Sequence, residues 1–392
     1  MAMLNVLNPE ISNLKNLSGQ AEPTGRDQLR MRPDRLLPMT NRRPFATAFL
    51  VLVPLSLAAE RLHWSESVVF ACSGLAILPL AIWLSMATEK LSVALGPSLG
   101  ALLNAVFGNA SELIIALVAL RAGLVDIVKA SITGTVMANL LLALGLSMFL
   151  GGLGRSEQRF QPVVARVNGS AMTLAVLAIL IPSIAVFSTG AAPERTQAFS
   201  GFVAWVLLLV YGLTLIFSLR THRALYEVAE AECRDGEAPV SPLPWLLVLI
   251  GATTALALVS EIFVGVVESV TSQLGLTALF TGVVLLPLLG GAAEFLTAIT
   301  MARRNQMDLA VSVAMGSTLL VALLVVPVLV LAGPLLGHPL DLSFEIYELV
   351  AVITAVLVSN LVSLDGRSDW LEGVLLLAAY VILAAGLYFQ AL

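Results

Sequence analysis

Two glutamates stand where a charge is hard to keep. Glu112 follows Gly108-Asn109-Ala110-Ser111 and Glu294 follows Gly290-Gly291-Ala292-Ala293, each inside a long apolar stretch. Each precedes an arginine, Arg121 or Arg303, by nine residues. A helix rises about 1.5 Å per residue, so each carboxyl lies roughly 13 Å from its helix end, near mid-membrane. An ionised side chain there costs about 2.5–3.5 kcal/mol on insertion scales. A protonated glutamate bonded across helices is the plain alternative, but glutamine would do that without the charge. Two facing carboxylates have a clearer use. Empty and close, they repel, so a proton is held between them. A hard cation such as Ca2+ takes about 6–8 oxygen ligands, which carboxylates and backbone carbonyls supply. Cation and protons then compete for the same oxygens, and loading one evicts the other.

The neighbouring residues suit that use. Gly108 and Gly290, with the small residues beside them, let a membrane helix loosen and turn freed carbonyls toward an ion. Thr135, after Gly134, and Ser317, after Gly316, add hydroxyl oxygens on the facing helices. Ordinary close packing is the competing account of such small residues. Asn139, deep in its span, reads as an interhelical hydrogen bond or a ligand. Glu89, Glu261, Glu268, Glu345, Glu348 and Asp365 lie near span ends. Most of these read as solvated rim residues; Glu89 and Glu261 are candidates for guarding an entrance.

These side chains need a membrane scaffold. Of the 392 residues, 58% are hydrophobic and 12% charged, against about 25% charged in soluble domains. Apolar runs of roughly 20 residues predict eleven spans, near 44–60, 67–88, 97–121, 127–150, 164–188, 198–220, 243–263, 275–302, 308–332, 345–364 and 369–390. The polar segment 1–43 reads as a disordered cytoplasmic arm without a cleaved signal, and 44–66 carries the first helix. The acidic linker 221–242 separates two groups of five helices, 67–220 and 243–392. It reads as a solvated amphipathic helix or a cation attractor. Lys90, Arg155, Arg159, Arg166, Arg220, Arg303, Arg304 and Arg367 fall on one face with the arginines of the arm; Arg61, Arg121, Lys129 and Arg195 fall on the other. The positive-inside rule then places the N-terminus in the cytoplasm and the C-terminus outside. With no organellar signal, a plasma (inner) membrane is the default. Cys72 and Cys233 form no framework, and no nucleophile–base or metal-ligand cluster suggests catalysis. No cofactor or nucleic acid is expected; the partners are cations, protons and the lipid bilayer.

The two groups are copies. At a constant offset of 182, as from Glu112 to Glu294, Gly108 meets Gly290, Arg121 meets Arg303, Asp126 meets Asp308, Gly134 meets Gly316, Thr135 meets Ser317 and Gly151 meets Gly333. Such residues are scarce inside spans, so these matches are informative. The copies begin five spans apart, an odd number, so the second enters from the opposite side. Inverted repeats are a common build for secondary transporters, with the site at the midplane where they meet. A channel is a weaker reading, since channels often use rings of charge in symmetric oligomers.

The stretch Thr88–Gly152, with "LLNAVFGNASELIIALVALRAG", resembles the first signature repeat of the cation/proton exchanger family of the cation/calcium exchanger superfamily. "FTGVVLLPLLGGAAEFLTAITMARRNQMDL" resembles its second repeat, and "DGRSDWLEG" at Asp365–Gly373 also resembles the family. The resemblance implies an all-α polytopic membrane protein of about eleven transmembrane helices, one peripheral and ten in two inverted five-helix repeats. It implies Ca2+/H+ antiport, with Glu112 and Glu294 carrying both cation and protons and with Asn109 matching the family's asparagine. The second repeat departs from the family pattern: Gly291 replaces an asparagine, Phe295 a histidine and Leu320 a glutamine. A site with fewer ligands also suits a monovalent cation, so Na+ or K+ exchange for protons is the alternative.

Overall fold

The computed structural model describes residues 47, 49–190, 192–218 and 241–390. The predicted arm over 1–43 and nearly all of the linker 221–242 lie outside these residues.

The described chain is almost wholly helical. Helix α1 is Leu52–Arg61, and α2 is Glu66–Gly96. Gly96 adopts φ +81°, a conformation open to glycine at little cost. There the chain doubles back: a side chain on Gly100 would strike the backbone of Ser92, although eight residues of straight helix span about 12 Å. The strand of helix that returns, α3, covers 97–107, and α4 covers Ala110–Arg121 after a break at Gly108–Asn109. Next come α5, Val125–Gly152, α6, Pro162–Thr189, and α7, Pro193–Ile216.

The second half repeats this order. Helix α8 is Pro242–Gln273. Helices α9, Ala278–Gly290, and α10, Ala292–Arg303, meet at a bend of 62°. They are followed by α11, Met307–Leu336, α12, Ile346–Val362, and α13, Trp370–Gln390. Shifted by 182, α4 coincides with α10. Both α5 and α11 contain a wide, i→i+5 turn at matching places, Ala138–Ala143 and Val321–Val325. In α11 the cause is visible, because Pro327 lacks the N–H that a regular helix would return to Leu323. The helices therefore loosen just after Gly134-Thr135 and Gly316-Ser317 rather than at them.

Seven described helices, α2, α5, α6, α7, α8, α11 and α13, are long and apolar enough to cross a membrane, and the bent pair α9–α10 makes an eighth. The other predicted spans correspond to the broken pair α3–α4, to α12 with 17 residues and to α1 with 10. Each predicted apolar run falls on a described helix, and the loosening read at Gly108 and Gly290 appears as a full break of the helix.

Two apolar cores hold the helices. One gathers Leu80, Leu84, Leu120, Leu256, Phe263 and Val326. The other gathers Met137, Leu144, Met148, Phe295, Met315 and Leu376. Burial of this kind contributes roughly 25 cal/mol per Å² only against water; within lipid, close contact of small residues does more. Gly134 is such a contact, since any side chain there would collide with the backbone of Val283 in α9.

Polar ties join the loops. At one end of the molecule, strand β1, Gln158–Arg159, pairs antiparallel with β2, Arg367–Ser368. There Gln158 Nε2 donates to Ala302 O at 2.9 Å, and Arg155 donates to Arg303 O at 3.1 Å. At the other end Lys129 Nζ meets Asp341 Oδ1 at 2.5 Å and Arg121 meets Glu261 at 3.3 Å. Each tie joins residues that the sequence assigned to the same face.

Candidate functional site

The two breaks set the glutamates. Glu112 lies in the first turn of α4 and Glu294 in the first turn of α10. Unpaired N–H groups at such a helix start carry a partial positive charge that favours a carboxylate. The breaks thus offset part of the cost of a mid-membrane charge.

The repeats bring the carboxyls together. A side chain added to Gly290 would begin 3.2 Å from Glu112 Cγ, so the turn before Glu294 rests directly on Glu112. A larger side chain at 290 would press the Glu112 side chain aside by a few tenths of an ångström. Ser111 Oγ lies 3.1 Å from both Glu112 Oε2 and the Gly290 carbonyl, and donates to one at a time. Glu112 is 8% exposed. Its Oε1 and Glu294 Oε2 are shielded from solvent and have no hydrogen-bond partner. A polar atom so placed costs about 1–3 kcal/mol or more if nothing joins it, so each oxygen calls for a proton or a cation.

A second cluster stands beside the first. Ser317 Oγ accepts hydrogen bonds from Asn109 Nδ2 at 2.6 Å and from Asn139 Nδ2 at 3.0 Å. The Ser317 carbonyl also accepts from Asn109 at 3.3 Å. Asn139 therefore makes the interhelical hydrogen bond, and its amide oxygen is left over. Thr135, buried one turn before Asn139, shares its helix face. Ser317 thus works as a receiver that holds two amides, and its own hydroxyl hydrogen is free to point elsewhere. Sequence reasoning missed Ser111 as a site residue; its place beside Glu112 was visible, but its bond to Gly290 was not.

The departures in the second repeat have structural partners. The Phe295 ring lies over Gly291, 3.2 Å from where a side chain would start. A Leu320 methyl lies 3.1 Å from the corresponding point on Gly108. Each apolar side chain covers a broken turn. Gly316, unlike Gly134, faces open space.

Of the three entrance or gating candidates, Asn139 belongs to this cluster. Glu261 pairs with Arg121 at an exposed position, and Glu89 is exposed near the end of α2. Among the described residues no group of three or more His, Cys, Asp or Glu side chains could hold a metal. The site has two carboxylates, with neutral oxygens from hydroxyls, amides and carbonyls around them.

The chain as a whole resembles known proteins. The family model described as sodium/calcium exchanger protein matches residues 65–220 and 244–389. A Ca(2+)/H(+) antiporter of Aphanothece halophytica is 49% identical over 366 residues, 90% of this chain and 98% of that protein. The Ca(2+)/H(+) antiporter ChaA of Bacillus subtilis (strain 168) is 43% identical over 339 residues, 86% of this chain and 96% of that one. The solved structure of native YfkE matches with a TM-score of 0.76 at 40% identity, covering 87% of this chain and 99% of that one. The chain belongs to the sodium/calcium exchanger protein family, and these relatives put it in the cation/proton exchanger group.

Proposed function

We propose that this protein exchanges Ca2+ for H+ across its membrane, with Glu112 and Glu294 as the shared carriers of both. The observation that carries the reading is the pair of shielded, unpartnered carboxyl oxygens, one from each repeat, Glu112 Oε1 and Glu294 Oε2. Two ionised carboxylates balance one divalent charge. Two protons restore neutrality when the cation leaves. Neutral oxygens of Asn109, Asn139, Thr135 and Ser317 and the carbonyls at Gly108 and Gly290 complete the cation's shell. Because both states are neutral, each can cross between the two faces at little electrostatic cost, whereas the empty, doubly charged site stays put. That rule is what couples the two fluxes.

The frame of the proposal is eleven crossings in a plasma (inner) membrane, with the N-terminus in the cytoplasm and the strand pair β1–β2 on the cytoplasmic side. The protein works as a transporter, not an enzyme. Monovalent exchange is the second reading, favoured by the apolar cover that Phe295 and Leu320 provide. Everted vesicles containing the full chain decide between them: Ca2+ should drive proton movement where equal concentrations of Na+ or K+ do not. Proton movement with Na+ or K+ but not Ca2+ would overturn the first reading.

A further inference from the structure

Far from the glutamates, at the arginine-rich end, α6 and α12 part and leave a cleft of about 170 Å3. Arg166, Gly169, Ser170 and Thr173 form one wall, and Asn360 and Ser363 the other. The helices touch at Gly169, where a side chain would begin 2.5 Å from Asn360 Oδ1.

The cleft presents donors. Ser363 is 3% exposed and its Oγ has no hydrogen-bond partner. Ser170 and Thr173 give their hydroxyl hydrogens to the carbonyls of Arg166 and Gly169, at 3.0 and 2.9 Å. Three donor groups are left: the Arg166 guanidinium, the Asn360 amide and the Ser363 hydroxyl, none bonded through its side chain to another described residue. The first turn of α6 borders the same space; at its start the Gln161 N–H is already taken by Asp308 Oδ1, so the Arg166 side chain is the positive group the cleft keeps. No carboxylate lines the cleft. Asp365, just beyond it, accepts from the Arg367 amide at 3.1 Å. Donors without an acceptor charge select an anion, and a planar five-donor guanidinium suits phosphate oxygens best.

The surroundings say how the phosphate arrives. Val163, Leu361 and Leu364 are exposed apolar side chains about the cleft. In a helix end at the membrane surface such residues meet acyl chains while the basic group meets the headgroup. We propose that this cleft binds a phosphate group carried by an anionic phospholipid. Since α6 belongs to the first repeat and α12 to the second, a bound headgroup bridges the two halves.

The test uses the purified full chain in neutral detergent, offered phosphatidylglycerol, phosphatidylcholine or inorganic phosphate, with retained lipid read by native mass spectrometry. Wild type should retain phosphatidylglycerol over phosphatidylcholine. Arg166→Gln should weaken that retention about fivefold, the equivalent of about 1 kcal/mol for one basic group at a membrane surface. Arg166→Lys should restore most of it, and Ser363→Ala should weaken it less. Glu112→Gln should retain lipid as wild type does, which separates this site from transport. Equal retention by wild type, Arg166→Gln and Ser363→Ala would overturn the proposal. Displacement of the lipid by millimolar inorganic phosphate would overturn the lipid as the source. Should Arg166→Gln fail to fold, Ser363→Ala alone decides.

Discussion

Glu112 and Glu294 occupy equivalent first turns of equivalent helices, but their neighbours differ. Asn109, Ser111 and Asn139 of the first repeat answer to Gly291, Ala293 and Val321 of the second. The first repeat therefore supplies most side-chain polarity, and the second supplies backbone and apolar cover. Polar groups of the first reach across to the second: Ser111 to the Gly290 carbonyl, Asn109 and Asn139 to Ser317. The comparison teaches that the charge is carried by both repeats while most of the neutral side-chain polarity comes from one.

The largest effect should fall on the part that is symmetric. Glu112→Gln and Glu294→Gln should each abolish Ca2+-dependent proton movement in vesicles while leaving folded protein in the membrane. Their equality is the point, because one carboxylate leaves a divalent cation half compensated whichever repeat lost the other. Full transport in either variant would break the shared-charge mechanism.

Next comes the receiver. Ser317→Ala removes the hydroxyl that accepts from two buried amides, leaving Asn139 without its acceptor and Asn109 with the Ser317 carbonyl alone, a loss of about 1–3 kcal/mol. The concentration of Ca2+ for half-maximal exchange should rise roughly tenfold, and Thr135→Ala, which holds no amide, should raise it less. A larger effect at Thr135 would invert the comparison. The glycine pair tests packing alone. Gly134→Ala forces α5 off α9 and should lower the stability of the purified protein by about 1–3 kcal/mol, read as a fall in melting temperature. Gly316→Ala should leave it unchanged, because the space beside Gly316 is open.

Phe295→His tests the apolar side of the site. A histidine shares a proton with the neighbouring carboxylate, whereas phenylalanine only keeps water from it. The pH optimum of exchange should move downward in the variant. Superimposable curves would mean that residue 295 merely packs on Gly291. The smallest effect concerns the Lys129–Asp341 tie. Burial opposes ionisation of Asp341, but hydrogen bonds from Lys129 and Ser343 and the Lys129 charge outweigh it and hold the carboxyl below its usual value. A depressed carboxyl stabilises the fold above the ordinary aspartate value of about 3.9 and loses that contribution as pH falls through its lowered one. Asp341→Asn should therefore narrow the melting-temperature gap to wild type only below about pH 4, and change transport little near neutrality.

The sequence by itself determined the membrane class, the duplication and the identity of the two glutamates. Each rests on scarcity: a Glu, Arg or Asp inside an apolar span is costly, so its recurrence at a fixed offset carries information that a leucine cannot. The packing role of Gly134 was among the readings, and structure alone chose it. The breaks at Gly108–Asn109 and Gly290–Gly291 were legible as glycine, though not as a 62° bend. Only tertiary structure paired Asn109 and Asn139 with Ser317, placed the Phe295 ring over Gly291 and set Gly290 against Glu112. The contacts between the repeats join residues 178 to 208 positions apart, whereas Phe295 meets Gly291 one turn away at the start of its own helix. Local periodicity reports which side of a helix is apolar. It says nothing of which neighbour fills the other side, because that is decided by how the two copies cross.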